Sequence, residues 1–166
     1  TGPPMSLTLT IHRKKKYIYV MHLVVLMTMK DVLLGYLRRM LEEGISPKNE
    51  WRIPDRSEEG IAIPLLLPEK LPTAFVCNCD LAASYLIRKL ENEGYRVPED
   101  VSVVGFDNFL YPGLCDIGIT TYEVDISEMA RRAIHKIVRK IANENYTAGV
   151  FIVDGHVVFK DSVARI

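Results

Sequence analysis

The sequence predicts an α/β fold on a parallel sheet, closed by a C-terminal hairpin. Three observations carry that expectation. The run Thr73–Asp107, TAFVCNCDLAASYLIRKLENEGYRVPEDVSVVGFD, reads as an apolar strand, a helix started by Asp80, a Gly turn and a second apolar strand ending in Gly105-Phe106-Asp107. Similar strand and helix patterns alternate along the rest of the chain, as crossover-linked parallel strands require. Asp154-Gly155 lies between alternating apolar residues, a tight-hairpin signal.

In chain order, Thr1–Leu7 (TGPPMSL) carries an internal Met after a Gly-Pro-Pro step and reads as an expression-vector remnant, leaving 8–166 as the domain. Tyr17–Val25 is dense in Val, Tyr and Leu and predicts a buried strand. Thr28 or Asp31 can cap a helix over Lys30–Glu43. Its Val32, Leu33, Tyr36, Leu37, Met40 and Leu41 recur at helical spacing, and Gly44 ends it. Trp51–Ile53 is a short strand. Ser57-Glu58-Glu59 resembles a helix start, but Pro64 and Pro68 predict a short, broken helix there, since an interior Pro costs about 3 kcal/mol.

Thr73–Cys77 is the next strand, and Asp80 is placed to cap Leu81–Glu93, with Leu81, Tyr85, Leu86 and Leu90 as the apolar face. Val101–Gly105 is a buried strand, Phe109–Gly118 a loop, and Ile119–Tyr122 a short extended piece. Asp125 or Ser127 caps Ser127–Asn143, whose Met129, Ala133, Ile134, Ile137, Val138 and Ile141 share one side. Gly149–Asp154 and His156–Lys160 are the strands expected to form the hairpin.

Composition bounds the function. The chain has 166 residues, 48% hydrophobic and 25% charged, enough for one globular domain with a core. Its 21 basic and 21 acidic residues give zero net charge, which argues against a chain that holds nucleic acid by itself. Arg13–Lys16 then reads as a solvated lead-in to a strand. Cys77, Cys79 and Cys115 are few and odd in number, which points to a reducing compartment rather than a disulfide framework. Cys77 and Cys79 point the same way from a strand, and they read as small buried apolar residues, too few for a metal site. The longest apolar run, Tyr17–Met29, is shorter than the ~20 residues a membrane helix needs, and no signal-peptide pattern precedes it. His12, His22, His135 and His156 are scattered, with His22 reading as a core histidine. Neither a nucleophile–base arrangement nor a phosphate loop is present, so neither catalysis, a metal nor a cofactor is expected.

The wording of LPTAFVCNCDLAASYLIRKLENEGYRVPEDVSVVGFDN, followed by ITTYEVDISEMARRAIHKIV, resembles the lactose-repressor (LacI/GalR) family of bacterial transcription regulators. RVPEDVSVVGFDN is its most specific piece. Asp31-Val32-Leu33-Leu34-Gly35-Tyr36 and Ser57-Glu58-Glu59-Gly60 fit the family in order and spacing, so the resemblance covers roughly Tyr17 to Val163. It implies the second lobe of a periplasmic-binding-protein-like type I fold, a three-layer parallel-sheet sandwich, with effector held between two lobes. It also implies that most of the first lobe and the DNA-binding module lie outside this chain, and that helix 127–143 belongs by family topology to the first lobe.

The implied effector contacts are Asp107, Asp80, Cys79, Asp55 and Thr28. Asp107 ends a buried strand where the family uses a carboxylate to accept ligand hydrogen bonds, and one carboxylate can accept two hydroxyls. Asp80 competes with helix capping, Thr28 likewise, and Asp55 with a surface turn. Cys79 stands where relatives carry Asn, Val32 where they carry Arg, and Val124 where several carry Gln, so the usual sugar and purine templates do not transfer. The implied protein is a cytoplasmic homodimer that senses a small molecule and reaches operator DNA through a module missing from this chain. A periplasmic-type sugar-binding protein of a transporter shares the two-lobe plan, and an α/β enzyme is the third reading.

Overall fold

The computed structural model describes residues 17–21, 27–57, 61, 63–109, 112–147 and 149–164. The expectations for Thr1–Leu7, Arg13–Lys16, His12 and His22 lie outside them. Four parallel strands form the sheet: β1 (Tyr17–Met21), β2 (Arg52–Pro54), β3 (Ala74–Cys77) and β4 (Ser102–Val104), in the order β2-β1-β3-β4. β1 pairs on one side with β2 (Val20 opposite Ile53) and on the other with β3 (Ile18 opposite Phe75). Helix α1 (Met27–Glu42) links β1 to β2, and α2 (Asp80–Asn92) links β3 to β4. The two crossovers leave in opposite directions. Right-handedness therefore puts their helices on opposite faces, giving the three layers of the expected α/β fold.

The core lies between β3, β4 and α2. Phe75, Cys77, Val103, Ala83, Leu86 and Leu90 have no exposed surface. Burying an aliphatic or aromatic side chain of this kind stabilises the fold by roughly 1.5–3 kcal/mol. The buried stripe of α2 runs through Ala82, Ala83, Leu86, Ile87 and Leu90; of the expected face, Leu86 and Leu90 are buried and Leu81 packs partly buried against the core, while Tyr85 is largely exposed. On α1, Met40 is buried while Leu41 is exposed. Gly44 ends α1 as expected, at φ +71°, with the Gly44 and Ile45 N–H groups donating to the Leu41 and Met40 carbonyls (both 2.9 Å).

Several boundaries and one pairing differ from the expectation. α1 begins at Met27, so Thr28 and Asp31 fall inside it rather than capping it. A 3-10 turn over Asn49–Trp51 precedes β2. No helix forms among the described residues between β2 and β3. Instead Ser57 N–H donates to Ile61 O (2.8 Å) and Ile63 N–H to Asp55 O (2.9 Å), and residues 63–73 are neither helix nor strand. Pro64 removes one helical donor and Pro68 another, and the chain between them is too short to recover.

The C-terminal strand also differs. β6 (Gly155–Val158) pairs antiparallel with β5 (Thr121–Val124), not with residues 149–154, which are not a strand. Helix α3 (Ile126–Ala142) separates the two partners, with Asp125 Oδ1 accepting from Glu128 N–H (2.8 Å) as its cap. Gly155 serves a close approach rather than a tight turn: a Cβ there would overlap the Glu123 carbonyl, and its N–H donates to Tyr122 Oη (3.0 Å). Parallel bridges Val104–Thr120 and Asp107–Glu123 continue the main sheet into β5. Ser162 straps the C-terminal end down, donating to Val103 O (2.6 Å) and accepting from Thr120 N–H (2.8 Å).

Candidate functional site at the carboxyl edge of the sheet

The strand order reverses between β1 and β3, and ligands of open α/β sheets bind outside the carboxyl ends of strands at such a point. Asp55 follows β2, Cys79 and Asp80 follow β3, and Asp107 follows β4, while Thr28 lies in the first turn of the helix that follows β1. Topology therefore brings all five candidates to one edge of the sheet. Asp55 and Asp107 both bear electrostatically on the Cys79 thiol, so these three converge.

Asp107 occupies a left-handed backbone position at φ +95°, and Asn108 follows at φ +51°. Two consecutive non-glycine residues in that region store strain, which persists only where the surroundings over-determine it. Here they do. Asp107 N–H donates to Tyr122 O (2.9 Å), and Asn108 N–H reaches Thr121 Oγ1 (3.3 Å). The Asn108 amide donates to Glu123 Oε2 (2.5 Å) and accepts from Lys160 Nζ (2.6 Å). Phe106 stacks on Tyr122 with ring centres 5.6 Å apart. Asp107 Oδ1 accepts from Phe109 N–H (2.9 Å). Its carboxyl is half-buried, and burial raises its pKa above the ordinary value.

Asp80 has a different place. It is not the N-cap of α2: Cys79 is, its Sγ accepting from Ala82 N–H (3.4 Å). Asp80 N–H donates to Phe106 O (2.9 Å), and Asp80 Oδ1 accepts from Thr121 Oγ1 (2.7 Å), with both side chains buried. Gly105 makes this possible, because a Cβ there would overlap Asp80 Oδ1. Burial pushes the Asp80 carboxyl up to about 6, with the Thr121 hydroxyl working against that rise. The carboxylate thus braces β3 and α2 against β5 from beneath the edge. Burial likewise pushes the Cys79 thiol up to about 11, so it stays neutral and offers a ligand little polarity.

Asp55 lines a cavity of about 290 Å³ against α2, shared with Arg56, Ile63, Leu65, Tyr85 and Lys89. No other candidate lines it. Sequence reasoning did not single out Asn108, Thr121, Glu123 or Lys160 as site residues. The place of Asn108 beside Asp107 is a signal that could have found it, whereas nothing in the sequence signals Lys160, 52 residues from the amide it bonds.

The model of the "periplasmic binding protein-like domain" family matches residues 12–163. Among curated proteins, the chain is 29% identical over 140 residues to the HTH-type transcriptional repressor PurR of Photobacterium profundum, covering 82% of this chain and 42% of that protein. It is 29% identical over 119 residues to the arabinose metabolism transcriptional repressor of Geobacillus stearothermophilus, covering 67% and 33%. The chain thus spans less than half the length of the curated relatives it matches. Among solved structures, a LacI-type transcription regulator from Bifidobacterium animalis subsp. lactis superposes with a TM-score of 0.72 at 22% identity, over 90% of this chain and 59% of that one. A transcriptional regulator CelR–cellobiose complex gives 0.72 at 19%, over 88% and 46%. These structural likenesses speak to the fold.

Proposed function

The chain belongs to the periplasmic binding protein-like domain family, and from that premise we propose that it is the effector-sensing domain of a LacI-type transcription regulator. The relatives named above are transcription regulators, which favours this reading over a transporter's binding protein or an enzyme. The observation that carries it is the over-determined Asp107–Asn108 turn at the carboxyl edge of the sheet. A strained, tightly held turn that carries a carboxylate at the carboxyl edge of the sheet is suited to accepting hydrogen bonds from a small polar ligand.

In this reading Asp107 is the principal effector contact. Asn108, Glu123 and Lys160 hold its turn, and Asp80 braces the edge from below. Cys79, Asp55 and Thr28 surround the same edge. A neutral thiol at 79 makes the site poorer in donors than an amide would, so the effector's recognition rests more heavily on Asp107. Effector binding would bias an equilibrium between two arrangements of the intact homodimeric, cytoplasmic regulator and so alter its affinity for operator DNA. With zero net charge, this domain supplies sensing rather than phosphate contact.

A thermal-shift panel of sugars, sugar phosphates and nucleobases tests the proposal. At least one class should raise the melting temperature, and Asp107→Ala should abolish that rise while leaving the ligand-free protein folded. An unchanged response in Asp107→Ala removes Asp107 from the site.

A further inference from the structure

Thr121 is a buried hydroxyl between the candidate site and the carboxylate beneath it. It opens β5 and has no exposed surface. Its Oγ1 donates to Asp80 Oδ1 (2.7 Å) and accepts from Asn108 N–H (3.3 Å). A hydroxyl has one proton and two lone pairs. Here the proton is committed to the carboxylate, which leaves a lone pair for the amide. Three groups therefore stand in line: a carboxylate at the start of α2, a hydroxyl on β5 and the backbone of the left-handed turn.

Backbone bonds hold the two ends of this line in register. Asp80 N–H donates to Phe106 O, and Asp107 N–H donates to Tyr122 O (both 2.9 Å). The state of Asp80 decides what the middle bonds are. An ionised carboxylate only accepts, and a bond to it is of the stronger, charge-assisted kind. It draws the hydroxyl proton toward itself, so the hydroxyl oxygen becomes the better acceptor for Asn108. A protonated carboxyl has a proton of its own to give and holds the hydroxyl less firmly.

We propose that Thr121 is a positioning residue that transmits the ionisation of Asp80 to the Asp107–Asn108 turn. The relay stands whether or not Asp107 meets an effector; that it ties effector affinity to pH rests on the effector reading. Burial is the main cause of the raised Asp80 carboxyl, and the Thr121 hydroxyl opposes it. Of the charged groups that face it, Asp107 beyond β4 adds to the rise and Lys160 beyond β6 works against it. Cys77 on β3, held neutral by burial, brings no charge.

NMR on the 166-residue chain tests the relay without a ligand. Asp107→Asn is the reference protein, because it removes the neighbouring carboxyl and Asn tolerates the left-handed position. Asp80 Cγ reports the ionisation, and the Asn108 amide proton reports the turn. The two should titrate with one midpoint, below the wild-type value of about 6 because the Asp107 charge is gone. The amide proton should move downfield as pH rises. Adding Asp80→Asn should abolish the amide step, and adding Thr121→Ser should keep it. Adding Thr121→Val should abolish it while Asp80 Cγ still titrates, at higher pH for want of the hydroxyl. Three results would overturn the proposal: a flat Asn108 amide while Asp80 titrates; an amide step that survives Asp80→Asn; or one that survives Thr121→Val at the carboxyl's midpoint. Should Thr121→Val not fold, the step must be lost in Asp80→Asn and kept in Thr121→Ser, and any other outcome refutes the relay. None of these results bears on Asp107 as an effector contact, which the thermal-shift panel reads separately.

Discussion

Replacing Gly105 with alanine should be among the most damaging single-methyl changes in this protein. The added Cβ overlaps Asp80 Oδ1 and comes within 3.1 Å of Ile119 Cγ2. Backbone bonds on both sides of Gly105 hold it in place: its own N–H donates to Thr120 O, and Asp80 N–H donates to Phe106 O (both 2.9 Å). The Asp80 side chain must therefore yield, and its 2.7 Å bond from Thr121 is lost. Overpacking a tight site costs about 1–3 kcal/mol, and a buried hydrogen bond to a charged group about 1.5–3 kcal/mol. Together they predict a loss of roughly 3 kcal/mol, a large part of a typical domain's stability. Urea denaturation followed by circular dichroism measures it. Repeating the change in an Asp80→Ala background identifies the cause, because with the carboxylate gone the same methyl should cost less than about 1 kcal/mol. The reasoning fails if Gly105→Ala costs under about 1 kcal/mol by itself, or costs the same in both backgrounds.

Asp80 also predicts a pH dependence. Its folded-state value of about 6 lies above the ordinary 3.8, so the folded protein holds the proton more tightly than the unfolded chain. The associated stability is fully present below 3.8 and is lost as pH rises through about 6. The melting-temperature difference between wild type and Asp80→Asn should therefore shift in favour of wild type on acidification from about pH 7 to about pH 5. Asp107 shifts in the same direction but is common to both proteins, and a flat difference would show that Asp80 does not titrate in this window. At the end of α1, Gly44→Ala meets open space and is penalised only by its φ of +71°. It should cost about 1 kcal/mol in chemical denaturation, and Gly44→Asn less, since Asn tolerates the left-handed region.

Much of this arrangement could be read from the residues. Helical spacing located α1, α2 and α3 to within a few positions, Gly44 ended α1 as its chemistry requires, and VPEDVSVVGFDN put Asp107 just past β4 at the carboxyl edge of the sheet. The errors are instructive. Asp80 stands at a helix start, where a carboxylate ordinarily caps, but its hydroxyl partner is 41 residues away and it turned inward. Asp154-Gly155 has the chemistry of a tight turn, yet the glycine is there for close contact with β5. Pro64 and Pro68 weakened the helix between β2 and β3, as the sequence implied, but not by how much.

The sequence by itself determined the α/β class, the three helices and most of the strands in their order, the family and the strand ends that carry polar groups. These depend on local periodicity, turn chemistry and a recognisable string of residues. Only the tertiary structure decided which strand β6 pairs with and what Asp80 and Asn108 bond to. Those outcomes depend on competition among contacts distant in sequence. A hydroxyl, an amide or an apolar stripe has many acceptable partners, and the packed backbone selects among them.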